Sequence, residues 1–278
     1  MAEITAALVK ELREQTQLPM MKCKKALQNN NGDIEAAKEE LRKEGEKFMD
    51  ARGDRSTEEG RIAIFCGPKS GAIIELQVES APVATNEEVV QLAKDLAEQL
   101  ATGPGAATPD DLWDQPCPSK PGETLKSVRD NIVNRIREVF RLPRIERVDG
   151  ACGGYVHHDG KTGVLLVGEG GDEDLAKKIG MQVVAMRPAA VTKEQLDPAL
   201  VKAEEDIQKD RARAEGKPEN IIEKMIVGRM QNFYAEKVLL EQPYIHDDKQ
   251  TVGQVAKAGG MTVKGFTLWK VGETSAAE

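Results

Sequence analysis

Three stretches of this 278-residue chain carry residue types that could do chemistry. His157-His158-Asp159-Gly160 offers two imidazoles and a carboxylate, the material of a general base or a metal site. Neighbouring side chains on a strand point to opposite faces, so two adjacent histidines would not share one ion, and a polar hairpin turn is the expected role. The third histidine, His246, stands apart beside Asp247 and Asp248. Gly168-Glu169-Gly170-Gly171 lies between a strand pattern and a helix pattern, where a phosphate cradle could form. The dinucleotide fingerprint would need a further glycine where Glu173 stands, and no Gly-Lys-Ser/Thr phosphate loop occurs. A strand-to-helix turn is therefore expected. Met20-Met21, beside Pro19, is a pair of large adaptable apolar side chains at a helix start. Helical geometry turns only one of them squarely inward, which leaves the other for a partner.

Catalysis finds little further material. Cys23, Cys66, Cys117 and Cys152 are widely spaced with no Cys-x-x-Cys pair, so reduced thiols without a disulfide frame or zinc are expected. No nucleophile, base and orienting group come together, and neither a catalytic residue, a metal nor a cofactor is expected. Hydrophobic residues make up 40% and charged residues 31%, as in folded proteins, while aromatics are only 4%. The formal net charge of −8 disfavours phosphate backbones and anionic membranes and suits a protein that meets other proteins. Glu3 and the absence of a long apolar run argue against a secretory signal or a membrane span, so a cytoplasmic location is expected.

The elements that would position these residues read as an α+β chain. Residues 1–52 carry three short helices: Glu3 to Thr16 with Ile4, Leu8 and Leu12 at helical spacing, Met20 to Gln28 with Pro19 in its first turn, and a third capped by Asp33. Residues 53–60 read as a polar linker. A core subdomain over 61–142 follows, with a hairpin (Arg61–Cys66, Ala72–Val78), a helix from Glu87 to Leu100, a Pro- and Gly-rich loop from Thr102 to Gly122 and a helix from Thr124 to Phe140. A second subdomain over 143–278 begins with strands Ile145–Val148, Gly154–His157 and Gly163–Gly168 and a helix capped by Asp172, so the strand-hairpin-helix order recurs as an internal repeat. Inserted in it, residues 192–240 read as a helical hairpin with Ile222, Met225, Ile226, Met230 and Phe233 along the seam. Strand Val263–Val271 then rejoins the sheet.

Leu12-Arg13-x-x-Thr16-x-x-x-Met20-Met21-Lys22-Cys23-Lys24-Lys25-Ala26-Leu27, followed by Asn31-Gly32-Asp33-Ile34-Glu35, resembles the N-terminal signature of the elongation factor Ts family. The likeness continues in Tyr155-Val156-His157, Gly163 to Val167, Gly216-Lys217-Pro218, Glu223-Lys224-Met225, Gly228-Arg229-Met230, Phe233 and Gln242-Pro243-Tyr244. It implies a three-helix ubiquitin-associated (UBA)-like domain, a two-part α+β core of repeated subdomains and a coiled-coil hairpin. It also implies a translation elongation factor that binds the GTPase elongation factor Tu in its GDP-bound and nucleotide-free forms and speeds GDP release without chemistry of its own. Leu12, Arg13, Met20, Met21 and His157 fall where the family touches this partner.

Where the family usually has Thr-Asp-Phe-Val after its second strand, pressing an Asp and a Phe towards the partner's Mg²⁺ site, this sequence has Ser80-Ala81-Pro82-Val83. The resemblance assigns these four residues to a loop that dislocates Mg²⁺, with Pro82 and Val83 as a smaller, stiffer wedge. A scaffold or chaperone for the same GTPase, with weak or no exchange activity, is the alternative that the altered loop favours. An enzyme built on His157 or a cysteine ranks third. Direct nucleic-acid contact is not expected, and the oligomeric state is left open.

Overall fold

The computed structural model describes residues 4–216 and 218–273. Helices α1 (Ala6–Thr16), α2 (Met20–Asn29) and α3 (Ile34–Asp50) come first. The Thr5 hydroxyl caps α1 by accepting the Leu8 N–H at 3.3 Å, and the Asp33 carboxylate caps α3 by accepting the Ala36 N–H at 3.0 Å. Gln17 closes α1 in a left-handed conformation (φ 58°), donating its N–H to the Arg13 carbonyl at 2.7 Å. Val9, Leu12, Leu18, Cys23, Ala26, Leu27, Ala37 and Leu41 form a core shared by the three helices. The far half of α3 leaves that core, and Phe48 and Met49 pack on the next one.

Strands β1 (Glu59–Cys66) and β2 (Ser70–Val78) form a hairpin, followed by α4 (Ala81–Ala84), α5 (Glu87–Thr102), α6 (Pro109–Trp113), α7 (Leu125–Ile136) and β3 (Arg141–Asp149). The sheet is antiparallel in the order β1-β2-β3. Two expectations are corrected here. The stretch from Thr102 to Gly122 is no bare loop, because Thr108 and Asp111 form a capping box that starts α6 and buries Leu112 and Trp113. Ile145–Val148 lies in β3, which pairs with β2 and so closes the first sheet instead of opening the second.

Residues 53–60 are also more than a spacer. Thr57 is buried and donates to the Gln77 side chain at 3.0 Å, Arg55 pairs with Glu79 at 2.8 Å, and β1 already begins at Glu59.

Strands β4 (Cys152–Val156) and β5 (Thr162–Glu169) lead into α8 (Glu173–Met186), capped by the Asp172 carboxylate on the Leu175 N–H at 2.8 Å. The helical pair α9 (Pro198–Ala214) and α10 (Glu219–Lys237) follows, then the small hairpin of β6 (Pro243–Tyr244) and β7 (Asp247–Thr251), helix α11 (Val252–Ala258) and β8 (Thr262–Lys270). The second sheet runs β4-β5-β8. The repeat is thus a hairpin, a helix and a third strand returning beside the hairpin's second strand, once as β1, β2, α5, β3 and once as β4, β5, α8, β8.

Burial fixes how the halves stack. Ala72, Ile74, Leu76 and Val78 face α5 and α7, whereas Ile62 and Ile73 meet Leu165 and Val271. On the far side, Val164 and Leu166 face Ile179 and Val183 of α8. The core is therefore layered helix, sheet, sheet, helix, with β2 and β5 buried on both faces. Asp197 caps α9 at the Ala199 N–H (2.8 Å), and Ala212, Ile222, Ile226, Met230 and Phe233 share a core along the α9–α10 pair, with Met225 half-buried. No helix among the described residues is long and apolar enough to cross a membrane.

Candidate partner-binding surface

Met20 and Met21 are the first two residues of α2, ahead of the stripe of Cys23, Ala26 and Leu27 that packs inward. Both point outward, with exposures of 57% and 72%, so the expectation that one would turn into the core is corrected. Lys24, Lys25 and Arg13 are exposed on the same small domain. Leu12 is a second correction: it is fully buried, because its turn of α1 faces α2 and α3. Its backbone carbonyl accepts the Thr16 hydroxyl at 2.7 Å. Leu12 thus holds the helices together beneath the surface and offers nothing to a partner directly.

Ser80 to Val83 are not a free loop but the start of a one-turn helix. Ser80 occupies its N-cap, and Pro82 fits the first turn, where its missing N–H has no helical partner to lose. Glu138 fastens the turn: Oε2 accepts the N–H groups of Glu79 (3.1 Å) and Ser80 (3.0 Å), and Oε1 accepts the Ser80 hydroxyl at 2.6 Å. Ala81 and Pro82 are exposed, while Val83 is half-buried against the core of the first subdomain. Only Ala81 and Pro82 are therefore presented outward.

His157 sits just beyond the end of β4, in the turn to β5. Its N–H donates to the Thr162 carbonyl at 2.8 Å, its carbonyl accepts the Gly160 N–H at 2.8 Å, and its Nδ1 lies 3.0 Å from the Tyr155 hydroxyl. Because the strand has ended, the alternation expected for two adjacent histidines does not apply, and the rings of His157 and His158 lie 4.2 Å apart. Among the described residues, no group of three His, Cys, Asp or Glu side chains is placed to hold a metal.

Arg61 joins these two surface features and was not singled out by sequence reasoning. Its Nη1 donates to the Ala84 carbonyl at 2.9 Å, at the end of the one-turn helix. Its guanidinium also fills the space beside Gly160, where an added Cβ would meet Nη2 at 2.8 Å. Ile62, the next residue, donates its N–H to the Gly160 carbonyl at 2.8 Å. Burial lowers the Arg61 pKa from its ordinary value, and the Asp159 carboxylate opposes that shift. Glu138, 58 residues from Ser80, was missed for the same reason as Arg61: neither contact leaves a local pattern.

Gly168-Glu169-Gly170-Gly171 joins the end of β5 to α8. Gly170 and Gly171 both have φ 71°, and a Cβ at Gly170 would meet the Gly260 carbonyl oxygen at 2.1 Å. Close chain packing therefore accounts for glycine at position 170.

Known proteins resemble the chain along almost its whole length. The family described as "Elongation factor TS" matches residues 79–273. The "Elongation factor Ts" of Hyphomonas neptunium is 43% identical over 292 residues, covering 98% of this chain and 93% of its own. Those of Azoarcus sp. and Hydrogenobaculum sp. are 40% and 36% identical, covering 98% and 97% of this chain and 92% and 99% of theirs. A mixed α+β molecule with these relatives is, by class, a translation elongation factor. The chain belongs to the elongation factor Ts family.

Proposed function

We propose that this chain binds elongation factor Tu in its GDP-bound form and promotes GDP release from the cytoplasm's pool of that GTPase. The observation that carries the reading is the outward exposure of both Met20 and Met21 on a small domain with an independent core. Adjacent large apolar side chains left in water mark a docking surface, and methionine adapts to an irregular partner. Arg13 lies on the same domain, and His157 and the Ala81–Pro82 turn offer contacts from the two halves of the core. The first three helices serve as the UBA-like domain and the α9–α10 pair as the coiled-coil hairpin. Domain limits follow the sheets, with the first core unit closing at the end of β3.

Exchange of this kind needs no covalent step from the chain. GDP is held by its phosphates and by a Mg²⁺ ion that demands near-ideal octahedral oxygen geometry. A partner that binds better when that geometry is disturbed must weaken GDP by the same factor, through linkage. A coupling of about 4 kcal/mol changes GDP affinity roughly a thousandfold. In this chain the Ala81–Pro82 turn disturbs the Mg²⁺ and phosphate site, held in place by Glu138 and Arg61. The test is titration of GDP-loaded elongation factor Tu with the intact chain and with Met20→Ala and Met21→Ala, following nucleotide by fluorescence. Equal activity of all three would overturn the assignment of the methionine surface.

A scaffold or chaperone reading has one observation in its favour. The exposed positions of the turn carry no carboxylate and no aromatic ring, since Ala81 and Pro82 stand there. Tight binding with no faster GDP release would select it.

A further inference from the structure

Cys66 and Cys152 come together across the seam between the two sheets. Cys66 ends β1, directly opposite Gly71 of β2 in the antiparallel ladder. Cys152 begins β4, and its Sγ lies over Gly71 so closely that a Cβ there would meet the sulfur at 2.3 Å. Glycine at position 71 is what leaves room for the thiol. The Cys152 thiol also lies 3.5 Å from the carbonyl oxygen of Gly67, the residue after Cys66. The two thiols are near enough for each to shift the other's pKa. Both line a cavity of about 580 Å³, and Cys66 is exposed while Cys152 is half-buried. Cys23 and Cys117, by contrast, are buried in separate cores.

We propose that Cys66 and Cys152 are a redox thiol pair, converted by a hydroperoxide into a reversible disulfide that ties the first sheet to the second. The pair is asymmetric, as such chemistry requires. Interaction with Cys66 lowers the Cys152 pKa to about 7 against the opposing effect of burial, so a substantial share is thiolate near neutrality. Its interaction with Cys152 raises that of Cys66, with the Glu173 carboxylate adding to the shift, so it stays a thiol. In the first step the Cys152 thiolate attacks the terminal peroxide oxygen. An S–O bond forms, the O–O bond breaks, and the alkoxide (or hydroxide) leaves and takes up a proton. Cys152 is thereby oxidised by two electrons to the sulfenic acid and the peroxide is reduced to an alcohol or water. Cys66, losing its proton, then attacks the Cys152 sulfur; the S–S bond forms, the S–O bond breaks, and hydroxide leaves as water with that proton. A dithiol reductant reverses the cycle by thiol–disulfide exchange. This chemistry is independent of nucleotide exchange and of any partner.

The test treats the reduced full-length chain with stoichiometric hydrogen peroxide, counts thiols after denaturation, and maps the non-reduced digest by mass spectrometry. The expected result is a fall from four free thiols to two, an intact mass lower by about 2 Da, and a linked peptide pair holding Cys66 and Cys152. A dithiol restores all four. In Cys66→Ser, Cys152 should stop at a sulfenic acid that dimedone traps. In Cys152→Ser, Cys66 should resist the same peroxide. A disulfide involving Cys23 or Cys117, a link between two chains, over-oxidation of Cys66 alone or no loss of thiols would each overturn the proposal.

Discussion

The Arg61 guanidinium donates to the Ala84 carbonyl at 2.9 Å while lying against Gly160, so one side chain of β1 braces two surface turns at once. One turn ends the helix that presents Ala81 and Pro82, and the other carries His157. The bracing couples a feature of the first half of the core to one of the second.

Removing that brace should loosen both turns without removing any outward-facing side chain. Arg61→Ala is expected to lower stimulated GDP release about tenfold, the scale of a lost charge-assisted hydrogen bond. Affinity for the partner should change less than the rate. Arg61→Lys, with no planar fork, should recover only part of the loss. Stopped-flow rates set beside binding constants decide this, and an unchanged rate in Arg61→Ala would contradict the brace.

Leu12 and Met21 separate packing from contact. Leu12→Ala empties a fully buried site and should cost about 2–5 kcal/mol of stability. Met21→Ala should leave stability within about 0.5 kcal/mol but weaken partner binding about tenfold. Chemical denaturation and calorimetric titration of the two variants provide the comparison.

Glu75 and Arg144, paired across β2 and β3 of the first sheet, together tie that sheet to the end of β8. Glu75 accepts from Arg144 Nε at 2.5 Å and from the Gly272 N–H at 2.9 Å, and Arg144 also donates to the Lys270 carbonyl at the end of β8. Glu75→Ala leaves that guanidinium without its carboxylate in a half-buried site and is expected to cost about 3–5 kcal/mol. A thermal melt checks it, and a Tm within experimental error of the parent would remove the link from the account.

What sequence could reveal of this architecture was mostly local. Apolar stripes and capping residues placed the helices, as the carboxylates of Asp33 and Asp172 illustrate. The strand pattern at Ile145–Val148 was readable, but the partner of β3 was not, because alternation along a strand carries no information about which sheet it joins. Helix α6 hid in a segment whose prolines and glycines suggested only a loop, although Thr108 and Asp111 carry its capping signal. At the surface, Met20 and Met21 stood out by type, whereas the burial of Leu12 required knowing which face of α1 meets α2. Arg61 and Glu138 act across 23 and 58 residues of chain, and no short-range spacing encodes that.

The exposed turn offers a gain-of-function test. Ala81 and Pro82 face outward, so Ala81→Asp combined with Pro82→Phe adds a carboxylate and an aromatic wedge without disturbing the half-buried Val83. Stimulated GDP release should rise severalfold over that of the parent chain. An unchanged or lower rate would sink the wedge argument.

The thiols give a pH signature. Alkylation needs the thiolate, so labelling of Cys152 should rise with pH through about 7 and level off above it. Burial raises the Cys117 pKa, so that thiol should stay unlabelled over the same range. Peptide-resolved iodoacetamide labelling from pH 6 to 9 reads both.

The central claim is nucleotide exchange, and its most direct test is stopped-flow release of a fluorescent GDP from the cognate elongation factor Tu, with and without this chain. The account predicts faster release that saturates as the chain's concentration rises. Release at the unstimulated rate, with binding demonstrated in the same samples, would contradict it.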